Sequence, residues 1–325
     1  MRIWQQHSLG DPMELLRLEE VDDPVAEPGK VLVDIEAVGL TFVDCLMARG
    51  MYQATTPIPW SPGTEIVGRV TEVEEGVQDL EPGQRVVGVG GGGVAEKAAL
   101  RAAGLYKLDD SVSAGAAAAL LVNYGTSWFA LHDRANLAAG ETLLVHAAMG
   151  GVGTAAVQLG LAAGARVIAT AGGPDKTARL SDMGAELAID YLETPDFVEL
   201  IRTHTDGRGV DVCFDPVGGD VFDRSRRVMA WDGRLLVIGF TSGRIPEAPA
   251  NHVLLKNYSI VGVHWGASVA RNPQASEQAH ETMLGLLGDG RIDPPVFPPF
   301  AFEDTPAALG AIYNRSTWGK VIVER

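Results

Sequence analysis

The pattern of apolar and polar residues changes character near residue 142, and that change divides the chain. Before it, apolar residues come in short runs separated by Pro-Gly turns. Val31-Leu32-Val33-Asp34-Ile35-Glu36-Ala37 alternates after the turn Glu27-Pro28-Gly29-Lys30. Residues 66–73 are β-rich and follow Pro62-Gly63, and Arg85-Val86-Val87-Gly88 follows Pro82-Gly83. Alternation puts one face of a strand in a core, and several such runs at this spacing predict a small β-rich domain. The apolar, Ala-rich residues 113–122 predict a helix.

From residue 142 the strands become continuous apolar runs. Thr142-Leu143-Leu144-Val145-His146 is followed by a Gly-rich turn and a helix predicted over residues 154–163. A second strand over 166–170 leads, through Pro174, to a second helix over 175–183; proline is at home in the first helical turn. Residues 210–215 and 234–238 are further buried-type strands. Alternating helices and fully apolar strands predict a parallel, doubly wound α/β sheet. After Ile260-Val261-Gly262-Val263 the character shifts again, to a Pro-rich stretch at 293–299 and a last strand at 320–323. The expected organisation is an α/β domain over residues 123–266, inserted into a β-rich domain made of 1–122 and 267–325.

Composition narrows the function classes. A chain of 325 residues with 46% hydrophobic and 21% charged residues is a two-domain globular protein. Its 39 glycines gather in short loops, as tight βα turns require. The formal charge of −16 argues against nucleic acid and anionic membrane as partners. No run approaches the ~18 apolar residues of a membrane span, and Met1-Arg2-Ile3-Trp4 lacks a signal-peptide core. Cys45 and Cys213 are the only cysteines, so no disulfide framework or four-cysteine zinc site is expected. A reducing cytoplasm fits.

The sharpest local signal is Ala147-Ala148-Met149-Gly150-Gly151-Val152-Gly153, between the first strand and first helix of the α/β domain. It satisfies the Rossmann dinucleotide fingerprint with Ala148 in place of the first glycine. Gly150 would let the backbone approach a pyrophosphate, and Gly153 would let the helix pack on the strand. The helix N-terminus offers unpaired N–H groups to the phosphates. The second strand ends in Ala169-Thr170-Ala171-Gly172-Gly173-Pro174, without the acid that holds the ribose 2′-hydroxyl in NAD enzymes. Lys176 follows on the first helical turn, where a cation can pair with a 2′-phosphate; a solvated helix lysine is the alternative. NADPH is therefore the expected cofactor, with Met149, Gly150, Gly151, Val152, Gly153, Gly172 and Lys176 as candidate contacts.

These residues resemble the medium-chain dehydrogenase/reductase proteins, specifically the zinc-free NADPH quinone oxidoreductases that include the zeta-crystallin type. The Ala-Ala-x-Gly-Gly-Val-Gly loop carries the resemblance. So do Gly39-Leu40-Thr41-Phe42-Val43-Asp44, Arg49-Gly50-Met51-Tyr52, Pro62-Gly63-Thr64-Glu65-Ile66-Val67-Gly68 and Asn123-Tyr124-Gly125-Thr126. Gly239-Phe240 and Val261-Gly262-Val263-His264-Trp265-Gly266 continue it, in family order, over nearly the whole chain. The resemblance implies a GroES-like catalytic domain beside the Rossmann domain. It implies that Lys176, Tyr191 and Arg315 hold the 2′-phosphate, and that Thr126, Gly239, Phe240 and Val263 meet the nicotinamide. Tyr191 as a loop residue and Arg315 as a helix C-cap are the plainer alternatives.

Zinc-dependent relatives carry a histidine where Thr64 stands, and Cys45 has no second soft ligand nearby in sequence. The seven histidines show no ligand-like spacing and are expected at the surface or in loops. No metal is therefore expected, and without zinc to acidify an alcohol the better acceptor is already activated: a quinone or an α,β-unsaturated carbonyl in an interdomain cleft. Thr41 and Tyr52 are candidate hydroxyl donors to its oxygen, with Asp44 orienting them; a helix-capping Asp44 and a packing Tyr52 are the alternatives. Much of the family has Asn where Thr41 stands, and a hydroxyl offers one donor where an amide offers two. Rival readings are an enoyl-thioester or enone reductase of the same fold and a non-catalytic NADPH-binding protein. A homodimer paired along the β-rich edge 257–263 is expected from the resemblance.

Overall fold

The computed structural model describes residues 1–325. It forms two compact units, Met1–Val122 with Pro294–Arg325, and Asn123–Asp293. The first unit opens with β1 (Arg2–Gln5), α1 (Pro12–Leu15) and β2 (Arg17–Glu20), the two strands pairing antiparallel. Then come β3 (Lys30–Leu40), α2 (Phe42–Ala48), β4 (Glu65–Val73), β5 (Arg85–Val89), β6 (Lys97–Arg101) and β7 (Leu105–Lys107). The alternation in β3 buries Val31, Val33 and Ile35 and leaves Asp34 and Glu36 half-buried. The strand bulges between Ile35 and Ala37, opposite Gly68. A side chain at Gly68 would lie 2.3 Å from the Asp34 carbonyl, so only glycine fits that crossing. The Ala-rich segment begins as α3 (Ala114–Ala119), capped by Ser113, and loosens into a π-helical turn over Leu120–Tyr124.

The second unit continues through α4 (Gly125–Trp128), a second π-helical turn over Phe129–Arg134, β8 (Thr142–Val145) and α5 (Gly151–Ala162). Next are β9 (Arg166–Ala171), α6 (Pro174–Asp182), β10 (Leu187–Asp190), α7 (Val198–His204) and β11 (Val210–Asp215). It closes with α8 (Gly219–Val228), β12 (Met229–Val237), α9 (Ala250–Lys256), β13 (Ser259–Gly262), α10 (Trp265–Arg271) and α11 (Pro273–Gly288). The six strands are parallel, in the order β10-β9-β8-β11-β12-β13. β8 and β11 are buried along their length, as strands covered by helices on both faces must be. The chain runs outward from β8 in one direction and from β11 in the other. The carboxyl ends of that pair are where open α/β sheets bind ligands. No helix is long and apolar enough to cross a membrane.

Two expectations need correction. The sequence placed the return to the first unit at residue 267, but α10 and α11 pack with the second unit and the division falls at Asp293/Pro294. Asn272 accepts from Ala275 N–H at the start of α11, and α10 and α11 pack on each other, so the pair continues the α/β unit. His146 and His280 were expected at the surface or in loops, and both are buried. His146 Nδ1 lies 3.0 Å from Thr170 Oγ1 and its Nε2 lies 2.8 Å from Ser225 Oγ. Ser225 donates its own proton to Val221 O, so Nε2 carries the imidazole hydrogen and Nδ1 accepts. Burial pushes the ring's pKa down to about 3, and it stays neutral.

The chain then re-enters the first unit through β14 (Phe300–Ala301), α12 (Thr305–Tyr313) and β15 (Val321–Glu324). Its larger sheet runs β14-β15-β3-β4-β5-β7, with β6 also on β3. Lys320, just before β15, is ion-paired with Glu65 at the start of β4, with side-chain exposures of 1% and 0%. The other Glu65 oxygen accepts the Val122 N–H at 2.7 Å. That N–H is drawn to a carboxylate in place of a helix carbonyl, which accounts for the π-helical turn after α3. Lys320→Met should cost about 3–5 kcal/mol by leaving Glu65 buried and unpaired. Glu65→Gln/Lys320→Met should recover most of it, because Gln still accepts from Val122; urea unfolding of both variants measures the difference.

Candidate active site

In the second unit, β8 runs into a turn that Ala147 makes in the left-handed region, at φ 47°. Gly150 N–H closes this turn onto Ala147 O at 2.8 Å, and Ala148 N–H bonds Thr170 O at 2.9 Å. A side chain at Gly153 would meet the Ala147 carbonyl at 2.2 Å, so α5 lies on the turn only because that residue is glycine. One at Gly151 would meet the Asn123 amide at 2.4 Å. Gly150, the N-cap, has no side chain to satisfy the first N–H groups of α5, and the four such groups at a helix start need partners. A glycine-rich, uncapped helix start at the end of a parallel strand fits a pyrophosphate in charge, shape and donors. Met149 is buried.

At the end of β9, Gly172 lies under the ring of Tyr191: a side chain there would come within 2.7 Å of the phenol oxygen. Tyr191 follows β10 and donates its N–H to Ala171 O, while Asp190 Oδ1 accepts from Gly173 and Leu192. Lys176, half-buried, stands in the first turn of α6 beside this turn. The structure thus brings Gly172 and Tyr191 together next to the helix that carries Lys176. Arg315 belongs to the first unit, directly after α12, in a left-handed conformation at φ 59°.

The other expected contacts lie along the carboxyl ends of the sheet. Trp265 presses on Gly125, where a side chain would come within 2.9 Å of its ring, so the segment after β13 that holds Val263 lies against the start of α4, beside Thr126. Phe240 packs on Gly218, and Thr241 N–H bonds Pro216 O, which places Gly239-Phe240 over the loop leaving β11. That loop begins with Asp215, which sequence reasoning missed. Its Oδ1 accepts from Val217 and Gly218 N–H, and its buried Oδ2 has no protein partner. Burial pushes its pKa up to about 6. The available signal was an acid closing an apolar strand before Pro216-Val217-Gly218-Gly219.

In the first unit, Thr41 ends β3 and caps α2, and Asp44 lies one turn on. Thr41 N–H and Thr41 Oγ1–H both donate to Asp44 Oδ2, at 2.7 and 2.9 Å, and Gly63 N–H donates to Oδ1 at 2.9 Å. The helix-cap and orienting readings of Asp44 are therefore one arrangement. It directs the Thr41 proton inward, where the sequence reading had it donated outward. Asp44 is buried, and burial raises its pKa against the lowering effect of these three donors. Tyr52, half-buried, sits in the bend after α2. The Arg49 guanidinium stacks on Tyr313 at 3.8 Å and pairs with Asp11 at 3.1 Å, so its charge is engaged within the unit. Cys45 donates its thiol hydrogen to Leu309 O, and burial pushes its pKa up to about 12. No group of three His, Cys, Asp or Glu side chains is arranged to hold a metal.

Residues 27–111 match the alcohol dehydrogenase GroES-like domain and residues 151–283 match the zinc-binding dehydrogenase domain. Over 298 residues the chain is 38% identical to a quinone oxidoreductase-like protein 2 homolog of Nematostella vectensis, covering 90% of this chain and 81% of that protein. The chain belongs to the quinone oxidoreductase family of medium-chain dehydrogenase/reductase proteins. It is accordingly an oxidoreductase. The quinone oxidoreductase of Thermus thermophilus, solved also with NADPH, superposes with a TM-score of 0.85 at 34% identity over 100% of both chains. The CurK enoyl reductase superposes with a TM-score of 0.89 at 26% identity over 99% of each. Thr41, Asp44 and Tyr52 lie in the GroES-like unit, and the α5 loop and the Gly172–Tyr191 turn lie in the Rossmann unit.

Proposed function

We propose that this oxidoreductase uses NADPH to reduce a quinone or related conjugated carbonyl without a metal. The observation that carries the reading is the pair Cys45 and Thr64. Thr64 stands where zinc relatives carry a histidine, and Cys45, the one cysteine of the first unit, keeps its thiol hydrogen on Leu309 O. A substrate must then bring its own activation, and a conjugated acceptor does so by spreading incoming charge onto oxygen. With the Arg49 charge engaged by Tyr313 and Asp11 and the Asp44 carboxyl buried, a flat, uncharged ring is suited, because no free charge would be left facing it. The acidic chain offers no obvious basic seat for the phosphates of a CoA thioester.

NADPH, when bound, supplies the hydride. The α5 N-terminus would take its pyrophosphate, Lys176, Tyr191 and Arg315 its 2′-phosphate, and Thr126, Gly239, Phe240 and Val263 its nicotinamide end. The protein's contribution is to orient the two reactants and exclude water. An enoyl-thioester or enone reductase is the second reading, favoured by the likeness to CurK. NADPH oxidation followed with a quinone, a short enone and crotonyl-CoA separates them: quinones are expected to give the highest kcat/KM, and crotonyl-CoA ahead of every quinone would contradict the substrate assignment. In the same assay Lys176→Ala should weaken NADPH by more than tenfold, the loss of a charge-assisted bond of about 1.5–3 kcal/mol, and leave NADH nearly unchanged. Equal loss for both cofactors would remove Lys176 from the phosphate site.

The setting inferred is a reducing cytoplasm, supported by two buried free thiols. A homodimer is inferred through β13, which is an outer strand of the parallel sheet. Beside it Leu254, Leu255 and Trp231 are 78%, 75% and 69% exposed, apolar surface that a second copy would cover. Light scattering at micromolar concentration should give twice the mass of one chain; the mass of a single chain would rule the dimer out.

A further inference from the structure

Three ionisable groups are sealed together in the first unit: Asp44 at 1% exposure, Glu65 at 0% and Lys320 at 2%. Two carboxyls and one ammonium cannot all be ionised there and be neutral, so the cluster has room for one more proton. Glu65 is in direct contact with Lys320 and also accepts the Val122 N–H, which keeps it ionised. Asp44 is bonded only to neutral donors, the N–H groups of Thr41 and Gly63 and the Thr41 hydroxyl. Asp44 therefore takes the extra proton. The charge that acts on it is Lys320 before β15, which favours its carboxylate less than burial opposes it, while Asp44 itself pushes the pKa of the Glu65 carboxyl on β4 upward. On α2 itself, Arg49 is turned to Tyr313 and Asp11, and Cys45 stays protonated.

The state of Asp44 decides what Thr41 can do. While Asp44 is ionised, the Thr41 hydroxyl spends its hydrogen on Oδ2 and shows only lone pairs outward. With a proton on Oδ2 the bond reverses: Asp44 donates to Thr41 Oγ1, and the Thr41 hydrogen is free to point away. We propose that Asp44 stores the proton that completes reduction of the acceptor and delivers it through the Thr41 hydroxyl. This rests on the function proposed above, in which hydride addition leaves an electron pair on the acceptor's oxygen. The Thr41 O–H bond breaks as a new O–H bond forms on that oxygen, and the Asp44 proton moves to Thr41 Oγ1. Asp44 is left as a carboxylate and regains a proton from water. The sum is one NADPH, one quinone and one proton giving NADP⁺ and the quinol. Asp44 is thus a positioning and proton-storing residue that acts through Thr41.

The test is the pH dependence of kcat for the full-length enzyme at saturating NADPH, with a quinone and with an enone. A proton donor works only while protonated, so kcat should be level at low pH and fall about tenfold per unit above the Asp44 pKa. Thr41→Val keeps the backbone bond from residue 41 to Asp44 but breaks the relay. It should lower kcat on the order of a hundredfold, with NADPH affinity by fluorescence unchanged, while Thr41→Ser restores turnover. Asp44→Asn should lose the falling limb of the profile. A Thr41→Val enzyme with wild-type kcat and the same limb would overturn the proposal, as would a wild-type kcat that does not vary with pH. If the wild type reduces no conjugated acceptor at all, the proposed function fails first, and the relay with it.

Discussion

The first unit depends on one buried ammonium. Lys320 lies beside β3: a side chain at Gly39 would come within 2.7 Å of its Nζ. It is paired there with Glu65. Removing two charges from water is costly, and the pair is tolerated because the groups hold each other and Glu65 also accepts a backbone N–H. The consequences spread from it. Glu65 draws the Val122 N–H out of the helix pattern and loosens the segment into a π-helical turn. Of that pair it is Lys320 that acts on Asp44, and the protonation of that residue is set mostly by burial and by its own hydrogen bonds.

In the second unit the governing constraint is steric. The carbonyl of Ala147 leaves no space for a side chain on Gly153, and with that space removed α5 settles on the turn after β8 with its first N–H groups uncapped. A capping serine or aspartate would satisfy one of those groups and occupy the position a phosphate needs. Stability of the helix start is given up, and its first N–H groups stay open to an anion. The same division of labour recurs at β9, where Gly172 makes room for the Tyr191 ring.

Much of this was legible in the sequence because it is governed by local rules. Strand runs, Pro-Gly turns and the Gly150–Gly153 spacing each follow from short-range sterics and burial, and the structure keeps them within a few residues. What could not be read depends on contacts between residues far apart in the chain. The π-helical turn is caused by a carboxylate 57 positions away. Nothing local to Arg49 announces the Tyr313 ring beneath it, 264 positions on. α10 and α11 carry no local mark of the unit they join, and His146 looks like a loop residue until Thr170 and Ser225 close around it. Asp215 was missed because its two backbone bonds arise only once the glycine turn after it has folded. The inward direction of the Thr41 proton was likewise invisible, since residue type gives a hydroxyl's presence and not its partner.

The chemistry proposed for the protein follows from these contacts. Its first unit offers an oriented hydroxyl over a buried carboxyl, and an alcohol bound beside such a pair is not made acidic. A conjugated carbonyl needs no such help. The most direct test of this account is turnover before and after exhaustive chelation, with elemental analysis of the same samples. The account predicts less than stoichiometric zinc and a quinone reduction rate that chelation leaves unchanged. One zinc per chain, lost together with activity and restored together with it, would contradict the account.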